Sequence, residues 1–479
     1  MTRPIPGLLV GMWTMAAAGG AIPAAPPGPG APDLQPLRAA ARPEVAPGFY
    51  ATQITAPLDV PVGAAIRMAG IDVPAQAGDR GELKLDLRGN GSFTTYRSEQ
   101  TVALTLARDD AKRPFPVRLF LRRHPDGTWT YRNVTQLAVQ IEDEPLVVVD
   151  ANGNGLYNEP GVDGMGLRGC TYLFPLPAPD ERWCTPKREL TGLELGPWGE
   201  DLKVRGRPLA TAHASALPVL QGVIEERLKL GLTPRPEDPA RSDDLQKHCA
   251  YMSANETLTH PEDKEKPGYT PEGHEAGMRS ILSMGTPADK VAFGMVTTYF
   301  HRIDVIRPDT MLFGVGYAGR YGGIDGRSGM RKGAPKTCWP VLCPAPGQED
   351  VPLRYGKEAP DATPGDAEAG YPITVQFHTG TLRLTRHALR ILPAVSGALP
   401  PVARATLPEV PCYPFDPRTG ASNGMTGFLR CACLIPKDPL QPGTTYEVAL
   451  EVEVDGAPWS RTWRFTTGNG GEGGRRRSR

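Results

Sequence analysis

A multidomain, mostly β chain with one helical interlude is predicted by three observations. Period-two hydrophobic alternation runs through residues 49–200 and returns after 371. Between them, from Ala214, the apolar repeat changes to three- and four-residue steps. The length, 479 residues, also exceeds what a single core supports. The expected fold class is therefore an N-terminal all-β module, a central α+β domain and a C-terminal β-sandwich.

Composition narrows the functional classes. The 53 basic residues are balanced by 53 acidic ones, so no electrostatic excess points to nucleic acid or an anionic membrane as the partner. The 55 glycines and 52 prolines are well above ordinary usage and gather in the tails and loops, as linkers and turn-rich β domains require.

Residues 1–24 read as a secretory signal, with Arg3 as the basic start, an apolar run from Leu8 to Ala18 and small residues at the end. The run is broken by Gly19 and Gly20, short of the roughly 20 apolar residues a transmembrane helix needs. No later segment is longer, so no transmembrane anchor is expected in the mature chain. The alternative is an Ala/Gly/Pro tail on a cytoplasmic protein. Residues 25–48, rich in Ala and Pro, read as a spacer.

From residue 49 strands are expected. E-L-K-L-D-L-R ends in G-N-G, T-V-A-L-T-L-A follows, and F-P-V-R-L-F-L-R-R-H passes through P-D-G into T-W-T-Y-R. After Val149 comes D-A-N-G-N-G-L-Y-N-E-P-G-V-D. Asp150, Asn152 and Asn154 place oxygens at alternate positions and Gly155 permits a sharp turn, like the first half of a calcium loop. Position twelve is Gly161, so Glu159 or Asp163 would have to supply the bidentate carboxylate. The alternative is an Asx-rich turn without metal.

The helical interlude places Leu217, Leu220, Val223, Ile224 and Leu228 on one stripe, stopped by Gly231. A second helix is expected with Ser242 or Asp243 as its cap and Leu245, Cys249 and Met252 inward. A third covers 271–284. A fourth opens at Thr286 or Pro287 and turns Val291, Met295 and Thr298 to one side. M-L-F-G-V-G-Y-A then reads as a strand and 322–326 as a turn. Four of the eight histidines, His248, His260, His274 and His301, fall here with Glu256, Glu262, Glu272 and Glu275, a concentration expected of a polar cleft.

Three separated motifs in residues 214–325 carry a resemblance. E-E-R-L-K-L-G-L, then L-Q-K-H-C-A-Y-M-S-A-N followed by L-T-H, then T-T-Y-F-H-R-I-D-V-I-R-P followed by F-G-V-G-Y-A, are similar in order and spacing to the CAP superfamily. This is the cysteine-rich secretory, antigen-5 and pathogenesis-related group, here in its bacterial branch. The resemblance implies an α-β-α sandwich over 210–326 with a cleft of two histidines and usually two glutamates. By motif the histidines map to His260 and His301 and the first glutamate to Glu275, with Glu272 competing. The second glutamate has no counterpart, and the aromatic common in the last helix is Met295. Two imidazoles and a carboxylate can hold a divalent cation, Zn or Mg, or a water for general-base work. His248 and His274 are the lesser candidates, and Arg302 is expected to pair with Asp289 or Asp304.

Residues 327–370 read as a connector and 371–467 as a sandwich. P-L-Q-P-G-T-T-Y-E-V-A-L followed by W-R-F-T-T resembles the closing hairpin of bacterial Ig-like surface domains. The Gly/Arg-rich end, 468–479, reads as a disordered tail. Locally spaced cysteines (Cys170 with Cys184, Cys338 with Cys343, Cys412 with Cys431 and Cys433) are disulfide candidates in an oxidising compartment. No glycine-rich phosphate loop follows a strand and precedes a helix, and no H-E-x-x-H motif is present. The expected function is that of a secreted, cell-surface or periplasmic bacterial protein binding a lipid, glycan or peptide in a His/Glu cleft. The alternative is a metal-assisted or general-base hydrolase using the same residues.

Overall fold

A computed structural model describes residues 33–54, 56–107, 113–330, 339–359, 361–364, 368–378, 380–393, 407–417 and 430–470. The expected signal segment, Cys338 and the arginines of the tail lie outside them. Among the described residues, no helix is long and apolar enough to cross a membrane.

The N-terminal third is built from β-sheets around one core that includes Ile66, Leu119, Leu121, Leu146 and Trp183. Alternation is plain in Phe115–Arg123, where Phe115, Val117, Leu119 and Leu121 are buried and Pro116 and Arg118 exposed. The 25–48 spacer is corrected in its described part. Ala39–Val45 is a strand, paired antiparallel with Thr135–Ile141 along its whole length. It is the edge of a six-stranded sheet, where the backbone ladder suffices to hold it. Its side chains are exposed or half-buried, so no hydrophobic alternation marked it, and an edge tolerates Pro43.

Five helices follow: α1 (Leu217–Lys229), α2 (Pro239–Ala254), α3 (Pro271–Arg279), α4 (Val291–Val296) and α5 (Arg302–Ile306). α1 buries Val219, Leu220, Val223 and Ile224 and ends at Gly231, whose φ of +65° suits a residue without a Cβ. α2 starts earlier than expected. Asp238, not Ser242 or Asp243, is its cap, accepting from Ala240 N and Arg241 N, with Pro239 pre-set for the first turn. α3 stops at Arg279, and Ile281–Met284 becomes the edge of a three-stranded sheet with Tyr321–Asp325 in the centre and Gly314–Ala318 beyond. The 322–326 stretch is thus strand rather than turn. Its glycines hid the pattern: a Cβ on Gly323 would meet Leu245 of α2 at 3.0 Å, so close packing selects them.

The C-terminal unit has two four-stranded sheets: Val341–Cys343, Ile373–Gln376, Cys431–Pro436 and Cys412–Phe415 in one, Gln348–Val351, Ala457–Thr467, Thr445–Val454 and Leu382–Ile391 in the other. The supposed connector therefore supplies a strand to each sheet. Val375, Leu434, Val448, Leu450, Trp463 and Phe465 from these sheets join Val219, Val223, Val296 and Val305 of the helices in one core.

Two buried arginines cross that core. Arg227 of α1 donates through Nε to Thr233 O (2.8 Å) and through Nη1 to Val305 O (2.8 Å) and Arg307 O (2.9 Å). Arg302, fully buried, donates through Nε to Thr298 O and through Nη1 to Pro372 O, both at 2.6 Å, and lies over the Tyr371 ring at 4.6 Å. The expected pairing of Arg302 with Asp289 or Asp304 does not occur; Asp304 pairs with Arg327 instead.

The described cysteines are all free thiols. Cys343 and Cys433 face Thr374 from opposite sides in register. Two strand spacings, about 9.6 Å, exceed the ~7 Å Cα reach of a disulfide. Burial pushes the Cys249 thiol up to about 12, away from reactivity.

Replacing Arg302 by Met keeps its bulk but strands the Thr298 and Pro372 carbonyls. The expected loss is roughly 3 kcal/mol or more, read as a lower guanidinium midpoint; an unchanged midpoint would contradict the role given to Arg302.

Candidate functional site

The first polar centre lies where α2 meets α3. His248, on the buried side of α2, has Nδ1 2.9 Å from Glu262 Oε1 and Nε2 2.9 Å from Thr259 O. Both ring nitrogens thus face acceptors, and both side chains are fully buried. His248, a lesser candidate for the cleft, is thus a buried structural residue. Glu262 Oε2 also accepts from Thr270 N at 2.9 Å, and Glu262 N donates to His274 Nδ1 at 3.0 Å. Thr270 caps α3 by accepting from Gly273 N at 2.9 Å. A polar knot therefore closes the 255–270 loop, with every described partner drawn from α2, α3 or the loop itself.

Two glycines one helical turn apart allow this approach. A Cβ on Gly273 would meet Glu262 Oε1 at 2.6 Å, and one on Gly277 would meet the His260 carbonyl oxygen at 2.5 Å and the His248 ring. His260 itself is exposed, and its Nδ1–H donates to Gly277 O at 2.8 Å. That contact fixes the ring and turns Nε2 away from the helix. Glu275 is exposed on α3. Leu258 and Met278, the residue two before His260 and the one after Gly277, are large exposed hydrophobics.

The second centre is at the start of α5. His301 donates from Nδ1 to Glu358 Oε2 at 2.7 Å, with side chains 17% and 1% exposed. Glu358 also accepts from the backbone N–H groups of Tyr299 (2.7 Å), Phe300 and His301, and from Tyr355 Oη at 2.9 Å. It closes the turn into α5 and orients the His301 ring. Glu358 was missed because it comes from the presumed connector, 57 positions away. Its only sequence signal was a lone carboxylate in Y-G-K-E-A-P.

His260, Glu275 and His301 were expected together. Among the described residues no hydrogen bond or ion pair joins any two of them. Nor is any group of three or more His, Cys, Asp or Glu placed to hold a metal ion. The Zn or Mg expected between them therefore has no such ligand set among the described residues.

The Asp150 loop is likewise closed on itself. Asp150 accepts from Gly153 N, Asn154 N, Gly155 N and Asn133 Nδ2, Asn152 Oδ1 from Asn154 N, and Asn154 Oδ1 from Leu156 N. Every side-chain oxygen of the expected calcium set is thus engaged by an amide of the protein, the arrangement of an Asx turn. Burial, reinforced by the charge of Asp150, pushes the Asp163 carboxyl up to about 8, and burial raises Asp150 to about 6.

No family model matches the chain, and no curated protein does. Among solved structures it is similar to an extracellular protein containing an SCP domain from Bacillus anthracis str. Ames, at 12% identity and a TM-score of 0.20. The likeness covers 43% of this chain and 84% of that one. A superposition of that extent establishes neither a fold nor an activity.

Gly277→Ala gains about 1 kcal/mol of helix propensity but drives a Cβ into a ring and a carbonyl, an overpacking worth about 1–3 kcal/mol. A net fall in melting temperature is expected, with loss of the slowest-exchanging amides of α2 and α3; a stabilised variant would refute the packing account. The Asp150–Asp163 pair gives a pH dependence of definite sign. Both carboxyls have folded values above their unfolded ones, so the native state holds extra protons and stability declines as pH rises from about 4 to about 8. Asp163→Asn should flatten that decline in thermal melts, and a variant with an unaltered pH slope counts against it.

Proposed function

We propose that the protein is an exported, multidomain cell-envelope protein whose helical domain binds a ligand at the surface formed by the 255–270 loop and α3. The β units act as spacers. The observation carrying this reading is the setting of His260. Its ring is held through Nδ1 by Gly277 O, beside the exposed Leu258 and Met278 and on the same small domain as the exposed Glu275. A fixed polar donor or acceptor with apolar neighbours suits a ligand bearing both kinds of group, such as a lipid, a glycan or a peptide. The three CAP-like motifs support an extracellular setting, as does the apolar start of the chain.

A hydrolase is the second reading, favoured by one observation. A buried carboxylate holding Nδ1 of His301 leaves Nε2 as the ring's basic edge, as general-base work needs.

The two readings separate on a pair of variants. Binding is measured with phosphatidylglycerol vesicles, soluble peptidoglycan fragments and a short-peptide pool, and hydrolysis with the same probes. Binding to one probe that falls about tenfold or more in His260→Ala but persists in His301→Ala supports the binding surface. Turnover that vanishes in His301→Ala and in Glu358→Gln supports the hydrolase. Binding unchanged in His260→Ala removes the first reading.

A further inference from the structure

The Ala457–Thr467 strand is covered on only part of one side. Towards Thr445–Val454 it pairs at every position from Val454↔Ala457 to Thr445↔Thr466. On its other side, Gln348–Val351 is in register only with Phe465 and Thr467. Thr467 N donates to Thr444 O across the hairpin, whereas Arg464 O accepts from Gly347 N on the opposite side. Odd-numbered residues therefore turn their peptide groups to the hairpin partner and even-numbered ones outward. Ser460 and Thr462 present N–H and C=O along an exposed edge, and Pro458 begins it.

A cavity of about 420 Å³ opens at that edge, lined by Pro346, Glu447, Arg461, Thr462, Trp463 and Arg464. It wraps the strand, taking Thr462 and Arg464 from one face and Arg461 and Trp463 from the other. Trp463 is fixed as its wall by donation from Nε1 to Pro344 O at 3.0 Å. Arg464 is neutralised by Glu447, Nε to Oε2 at 3.1 Å. Arg461 is different. It is exposed and, among the described residues, no carboxylate is bonded to it. Its side chain lies at the mouth of the cavity, open to an incoming group.

We propose that this edge binds an extended acidic peptide as an added strand, its backbone pairing with Ser460 and Thr462 and a carboxylate seated on Arg461. The outward amides call for a partner with its own alternating donors and acceptors, which only an extended chain supplies. The uncompensated guanidinium calls for a negative side chain on that partner. Such a site is independent of His260 and of the helical domain.

The test uses the full chain and an end-capped, dye-labelled peptide of alternating threonine and glutamate, read by fluorescence anisotropy. Saturable, salt-sensitive binding is expected, unchanged in His260→Ala. Arg461→Ala should weaken it by about tenfold or more. Thr462→Pro should do the same, since it removes an outward N–H without touching the hairpin ladder; far-UV spectra and denaturant midpoints check that both variants fold. Two further probes leave the protein unaltered. A peptide N-methylated on its pairing edge should fail, and one N-methylated on the opposite edge should bind. No binding by the wild type, equal binding of the two methylated peptides, or an unaffected Arg461→Ala overturns the proposal. So does competition by inorganic phosphate as strong as that by the peptide, which would mark a simple anion site.

Discussion

Two buried guanidinium groups tie α5 into its surroundings, one to α1 and the other to a C-terminal sheet. Arg227 joins α1 to the end of α5, and Arg302 joins the start of α5 to the strand after Pro372. Each satisfies backbone carbonyls at the ends of short helices, where orphan acceptors are otherwise costly to bury. Arg302 gains further from the Tyr371 face, which receives a planar cation well. Because α5 is only five residues long, its position depends on these bonds and on Glu358 at its start, more than on helix propensity.

The polar centres are held in different ways. His301 sits one residue before Arg302, so the arginine that locks α5 also sets where the His301–Glu358 dyad points. His260 depends on the packing of α3 against α2 through Gly273 and Gly277. The two histidines expected to share one cleft thus have different partners, Gly277 O for His260 and Glu358 for His301.

Much of the architecture was legible in the chain. Alternation in Phe115–Arg123 and Thr445–Val454 and the helical stripe of α1 correspond to buried faces as written. What escaped was structure without a hydrophobic pattern. Ala39–Val45 pairs by its backbone at an edge, Tyr321–Asp325 is built partly from glycine because α2 lies against it, and the strands at 341–343 and 348–351 are three and four residues long. Local signals are weak in all of them, since their partners are distant in sequence.

The site divides in the same way. Residue types and spacing by themselves put imidazoles and carboxylates between short helical patterns, and left Asp150 open between a calcium loop and an Asx-rich turn. Only the tertiary structure decided which histidine meets which oxygen: His248 with Glu262, His260 with the Gly277 carbonyl, His301 with Glu358. It also decided that, among the described residues, Arg464 is bonded to an acid and Arg461 is not. The physical reason is that hydrophobic periodicity is a property of neighbours along the chain. Hydrogen bonding and charge compensation inside a core are settled between segments that meet only after folding.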